Sequence, residues 1–325
     1  MVIPNDPLKR QWIDVSSVNP GLVNGFRPSL IAFLGFDRWK NPTLAGTGFI
    51  IAGNKDCAIV FTAKHVLEGL KKIQVPNQKH VPSSHFFSKK HSPPNLSPSS
   101  LKALWMGDKE AGLLNVTFAT YSNLLDIACC IVTSDGVDKF TPVSMPFDSR
   151  IPSIGDIVHM VSLTEMNVSE SVPPNKQNKL GQTLKIQRTV NIRIGSVTGV
   201  FQKGLRRFKW PCFTTSIPAK PGMSGGLVYL PQDKSTIGAC GVVCADISTD
   251  EAMEDMHQSG ESVVTSTWPA LGLSIPECIP YDNNTPKITI YDMIKSGRMN
   301  SISGIEHFEL IQLEGEDYRV SRKKK

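Results

Sequence analysis

Three side chains of this chain are of the types that together carry out acyl transfer, and they lie far apart. They are His65 in "AIVFTAKHVLEGL", Asp126 at the head of "DIACCIVT", and Ser224 inside "PAKPGMSGGLVY". A serine hydroxyl is a poor nucleophile until a base takes its proton and donors receive the charge that builds on the substrate oxygen. The stretch around Ser224 meets the second need. Gly222, Gly225 and Gly226 strip side chain from its surroundings, and glycine suits places where the backbone takes positive φ or approaches something closely. With that freedom the amides of Gly222 and Ser224 can converge on one point as an oxyanion hole. Read alone, the same stretch is a plain glycine turn before a strand.

The base and its partner come from the other half of the chain. His65 stands where a strand-like run ends and a short helix can begin, so its ring can face a cleft. Asp126 is the acid at the edge of a strongly apolar run, where a buried charge demands compensation that an imidazole N–H can supply. Taken singly, Asp126 also reads as the end of the preceding "YSNLL" turn. The remaining histidines offer less. His80, His85 and His91 lie in a polar stretch at spacings that match no zinc motif, His159 reads as a strand residue, and His257 and His307 have no telling context.

The elements that must position these residues are mostly strands. Runs such as "SLIAFLGF", "GTGFIIAG", "CAIVFTA", "LLNVTFAT", "DIVHMVSL" and "NIRIGSVTGV" are short, rich in Val, Ile, Phe and Thr, and separated by Gly, Pro, Asn and Asp. Helical period is confined to "AKHVLEGLKKI" and "TIYDMIKSGRM". An all-β sandwich or barrel protein follows. No period of 20 to 50 residues repeats, which disfavours solenoids and propellers. Residues 75–100, dense in Pro, Ser, Lys and His, form an exposed insertion between strands.

Composition excludes several function classes. The 325 residues are 40% hydrophobic and 20% charged, enough for one large core or two ordinary ones. No run approaches the roughly 18 apolar residues of a membrane span, and the first residues lack a signal-peptide stretch, so the expectation is a cytoplasmic protein without a membrane partner. Seven cysteines, with Cys129 and Cys130 inside an apolar run, give no disulfide framework. Cys240 and Cys244 are too weak a pair for metal ligands, and neither a metal nor a cofactor is expected. The net charge of +6 lies partly in the terminal "SRKKK", which disfavours a nucleic-acid partner.

The order His65, Asp126, Ser224 is the chain order of chymotrypsin-type enzymes. "GTGFIIAG…IVFTAKHV" resembles the segment around the histidine of trypsin-like serine peptidases, "LLDIACCIV" is similar to their aspartate strand, and "TTSIPAKPGMSGGLVYL" resembles their serine segment, above all in the HtrA/Deg-like and stand-alone branches. "GACGVVCADIS" followed by "PALGLSIP" resembles the strands that follow the serine. The resemblance implies two six-stranded antiparallel β-barrels with the site between them. It divides the chain into an extension (1–27), a first barrel (28–150) with His65 and Asp126, a second barrel (151–280) with Ser224, and a C-terminal helix and basic tail (281–325), without a PDZ domain.

The same resemblance implies a serine endopeptidase acting on protein or peptide substrates through an acyl-enzyme, with a catalytically silent peptide-binding relative as the alternative. Pro218, Cys244, Ala245 and Asp246 fall at the substrate pocket, which lacks the acid that selects Arg or Lys and so favours a small or medium apolar residue; Asp246 can narrow it or attract a basic side chain. Met223 stands where pancreatic-type enzymes carry the aspartate that pairs with a newly cut N-terminus. Control by a partner protein, a loop or the tail is therefore expected in place of zymogen cleavage. The closing "FELIQLEGEDYRV" reads as a terminal hairpin that either packs on a barrel or offers an edge.

Overall fold

A computed structural model of the chain describes residues 11–36, 42–73, 101–107, 111–122, 124–134, 140–170, 184–231, 237–246, 261–277, 284–313 and 318–323. The expected insertion at 75–100, His257 and the side chains of Ala245 and Asp246 lie outside what is described. The first elements among the described residues are a short strand, β1 (Ile13–Asp14), and a helix, α1 (Pro20–Phe26). Asn19 caps α1 by accepting from the Leu22 amide at 3.0 Å, and Pro20 occupies the first helical position, where its missing N–H costs nothing.

The first barrel follows. Strands β2 (Leu30–Phe36), β3 (Pro42–Gly53), β4 (Cys57–Thr62), β5 (Leu101–Met106), β6 (Ala111–Tyr121) and β7 (Ala128–Thr133) close in the order β2-β3-β4-β7-β6-β5, with α2 (Lys64–Ile73) leaving directly from β4. Central β7, flanked by β4 and β6, is buried along its whole length and is correspondingly apolar, whereas β6 alternates. Phe33, Phe49, Phe61, Trp105, Phe118 and Phe140 fill the interior. Trp105 meets Phe140 edge-on at 5.1 Å and donates its indole N–H to the Pro28 carbonyl at 3.0 Å, so the largest side chain of this core has its polar atom satisfied.

Residues 140–156 cross to the second barrel. There β8 (Ile157–Glu170), β9 (Leu184–Phe201), β10 (Cys212–Thr215), β11 (Leu227–Tyr229), β12 (Ala239–Asp246) and β13 (Ser262–Ser266) run β8-β9-β10-β13-β12-β11 and return to β8. The 18-residue β9 is long enough to pair with β8, β10 and, at its outer edge, β1. All pairings within both barrels are antiparallel, and the architecture is chymotrypsin-like. The core of the second barrel includes Val158, Met160, Val197, Phe213, Ile217, Met223, Val228 and Val264.

The C-terminal residues pack back onto this pair. Strand β14 (Ser274–Pro276) pairs with β15 (Lys287–Thr289), which leads into α3 (Ile290–Lys295), capped by the Thr289 hydroxyl. Then β16 (Phe308–Gln312) and β17 (Tyr318–Arg322) form a hairpin. Of the two roles open to that hairpin, packing is the one observed: Phe308 and Val320 are buried, and Phe308 stacks on Trp268 at 5.5 Å. Among the described residues no helix is long and apolar enough to cross a membrane.

Candidate active site

Asp126 and His65 meet because a helix has to be capped. The first amides of any helix lack internal acceptors, and His65 is the second residue of α2. Its N–H donates to Asp126 Oδ1 at 3.1 Å, while the Lys64 N–H donates to the Asp126 carbonyl at 3.3 Å. The same carboxylate reaches the ring, with Asp126 Oδ2 lying 2.8 Å from His65 Nδ1. A buried carboxylate is thus compensated by an amide, an imidazole and the positive end of a helix. The pair is asymmetric in exposure: the Asp126 side chain is 9% exposed, the His65 side chain 43%. The carboxylate occupies the Nδ1 side of the ring and makes no bond to Nε2.

Ser224 is the second residue of the latter of two consecutive tight turns that share Met223. In the first, Met223 N donates to Lys220 O at 3.0 Å and Gly222 has φ +88°; in the second, Gly226 N donates to Met223 O at 2.8 Å and Gly225 has φ +85°. A glycine at positive φ in the third place of an i to i+3 turn is the type II pattern, and Pro221 occupies the favoured second place of the first turn. The glycines are also sterically required. A Cβ on Gly225 would lie 1.9 Å from the Thr47 carbonyl oxygen, and one on Gly222 would lie 3.1 Å from the Leu163 carbonyl oxygen. Among the described residues no protein acceptor engages the Gly222 or Ser224 amide.

Thr47 joins the halves. Its N–H donates to the Ser224 carbonyl at 2.7 Å, its hydroxyl donates to the Gly222 carbonyl at 2.8 Å and accepts from the Leu163 amide at 2.9 Å, and its own carbonyl accepts from Thr62 Oγ1 at 2.6 Å. Beside it, Gly46 is pressed between Val66, next to His65, and the Ser224 carbonyl: a Cβ there would lie 2.5 Å from Val66 Cγ2 and 2.8 Å from Ser224 O. The first turn of α2 and the Ser224 turn therefore flank the same piece of β3.

The Ser224 hydroxyl donates to the Cys244 carbonyl at 3.0 Å, and among the described residues no hydrogen bond joins it to His65. The Cys244 thiol is buried beside the Asp126 carboxylate and Thr265, whose hydroxyl also accepts from the Trp210 indole at 2.9 Å. Burial, and then the Asp126 charge, push the Cys244 thiol well up, so it stays protonated. Of the other expected pocket residues, half-buried Pro218 accepts from Arg193 Nη1 at 2.9 Å, and Ala245 and Asp246 contribute backbone to β12. Among the described residues no cluster of His, Cys, Asp or Glu is arranged to hold a metal ion.

Three contributors escaped the sequence reading. Thr47 and Arg193 give no local signal, because their partners are remote in the chain: Thr47 and Gly222, for instance, are 175 residues apart. The Cys244 thiol beside Asp126 is the third; the sequence pointed to a pocket wall and left this contact unseen.

No protein-family model matches the chain, and no curated protein matches it. Among solved structures it is similar to an inactive serine-to-alanine mutant of Rv3671c from M. tuberculosis, at 14% identity, with TM-score 0.41, over 77% of this chain and 87% of that one. It is also similar to the MamO protease domain from Magnetospirillum magneticum, at 10% identity, with TM-score 0.41, over 74% of this chain and 93% of that one.

Proposed function

We propose that this protein is a serine endopeptidase in which Ser224, His65 and Asp126 form the catalytic triad. The observation that carries the reading is the Asp126–His65 pair, bonded through both amide and ring and set across Gly46 and Thr47 from a serine held in two glycine turns. His65 Nε2 takes the proton of Ser224 Oγ as that oxygen attacks the carbonyl carbon of the scissile bond. The negative charge on the carbonyl oxygen is received by the Gly222 and Ser224 amides, each such donor contributing about 3 to 4 kcal/mol at the transition state. His65 then hands the proton to the leaving amine as the C–N bond breaks, and Asp126 stabilises the imidazolium in between. Water, deprotonated by His65, releases the acyl group and restores Ser224.

The substrate is a protein or peptide with a small or medium apolar residue at the position entering the pocket beside Pro218, Ala245 and Asp246. Regulation falls to a partner protein or loop. A second reading, a silent peptide-binding protein, draws support from the Ser224 hydroxyl, which bonds the Cys244 carbonyl and not the imidazole. Catalytic hydrogen bonds in substrate-free enzymes often form only once substrate arrives. A fluorophosphonate probe discriminates the readings. Covalent labelling of the wild type and none of Ser224→Ala supports the peptidase; an unlabelled wild type that still binds peptide supports the silent relative.

A further inference from the structure

Beneath the Ser224 turn lies a buried cation that the chemistry above does not use. Arg193, on β9, is only 3% exposed. Its Nη1 donates to the Pro218 carbonyl at 2.9 Å and lies 3.1 Å from Met223 Sδ, and Met223, fully buried, belongs to both turns that frame Ser224. The other side of the guanidinium faces the N-terminal segment. Its Nε, without a hydrogen bond of its own, is 3.5 Å from Asp14 Oδ2, and the Trp12 ring lies 5.1 Å from its central carbon.

That segment is stitched to the second barrel. Asp14 pairs with Arg193 and Ile13 with Ile194, Val15 N donates to Ile192 O at 2.9 Å, Ile192 N donates to Ser16 Oγ at 2.8 Å, and Ser216 Oγ donates to the Gln11 carbonyl at 3.2 Å. Burial opposes ionisation of Asp14, but hydrogen bonds from the Ser16 side chain and amide, with the Arg193 charge, hold its carboxyl below the usual range. A buried guanidinium is tolerated only while its charge and donors are matched. Here the matching is split between the catalytic turn and a terminal strand two residues long.

We infer that Arg193 is a positioning residue for the nucleophile turn and that residues 11–16 are the strap that holds it there, so that loss of the strap switches the enzyme off. This rests on the peptidase reading. The consequence is opposite in sense to activation by N-terminal cleavage: a cut after this segment releases Arg193, frees the Pro218 carbonyl and Met223, and lets the Gly222 and Ser224 amides drift from their common target. Displacements of about 1 Å at such a site cost up to about 100-fold in rate.

The test compares full-length wild type with Trp12→Ala/Asp14→Ala, Asp14→Glu and Arg193→Lys. It reads peptide turnover, thermal unfolding and amide hydrogen exchange across residues 218–226. The expected result for the double variant and for Arg193→Lys is a folded protein with kcat lowered about 10- to 100-fold, KM within about twofold, and faster exchange confined to 218–226. Asp14→Glu restores most of the rate. Unchanged kcat and unchanged exchange in the folded double variant overturn the inference, as does a loss of rate that merely tracks global unfolding. If the wild type turns over no peptide, the peptidase reading fails, and the exchange comparison still decides whether the strap holds the turn.

Discussion

The two barrels present their groups by different means. The first delivers His65 and Asp126 from a helix start and the approach to a strand, and the Asp126 carboxylate holds His65 directly, by its ring at 2.8 Å and by its backbone N–H at 3.1 Å. The second delivers Ser224 from consecutive turns whose shape depends on Gly222 and Gly225 at positive φ, on Thr47 reaching across from the first barrel, and on Arg193 below. One half of the site is preorganised by its own pairing; the other is held by its neighbours. Damage to the first half should therefore be chemical and local, and damage to the second conformational and spread over several remote residues.

The largest expected effect belongs to the proposed nucleophile. Ser224→Ala lowers kcat on the order of 10⁶-fold with the unfolding temperature almost unchanged, measured by steady-state peptide hydrolysis. Asp126→Asn keeps an oxygen to cap α2 but meets the imidazole in the wrong tautomer. A fall in kcat on the order of 10⁴-fold at nearly wild-type stability is expected, and a collapse of the fold in this variant would show that the first half is not the self-contained unit described.

Gly222→Ala should behave differently, with turnover down about 100- to 1000-fold. Because the new Cβ strains positive φ, about 1 to 3 kcal/mol of stability is lost in denaturant titrations. Thr47→Val removes the hydroxyl that bridges Gly222 and Leu163 and leaves a buried amide unpaired, at a cost of about 1 to 3 kcal/mol. Its loss of rate should exceed what the unfolded fraction accounts for, since the turn it steadies carries the proposed oxyanion donors. Equal effects of Thr47→Val on labelling rate and on folded fraction would remove the distinction between the halves.

The smallest effect is a pH dependence in the second barrel. His159 Nδ1 lies 2.8 Å from the Tyr229 hydroxyl, and burial depresses the histidine pKa while pushing Tyr229 up to about 12. The unfolded chain takes up this proton first, near pH 6.5. Stability is thus unaffected above that value, falls as pH drops below it, and levels off once the pH passes the folded-state pKa. His159→Gln should flatten the difference in unfolding temperature between pH 7.5 and pH 5.

The sequence carried the strands and the glycine turns around Ser224, because alternating apolar runs and glycine clusters are local signals. It also carried the starts of α2 and α3, where short helical patterns stand out among β runs. What it hid was long-range. Arg193 in "NIRIGSV" occupies a place in an alternating strand pattern that reads as a solvent face, yet it is buried against residues from the N-terminus and from the Ser224 loop. Likewise the extension at 1–27 shows no strand pattern of its own. Residues Ile13 and Asp14 become β1 only because β9 offers them an edge.

Thr47 has one more implication. Two of its polar atoms, the amide nitrogen and Oγ1, make three hydrogen bonds to the opposite half of the molecule, at contacts shielded from water. Neither barrel can melt or swing away without stranding those groups, so calorimetry should record a single cooperative endotherm for the pair.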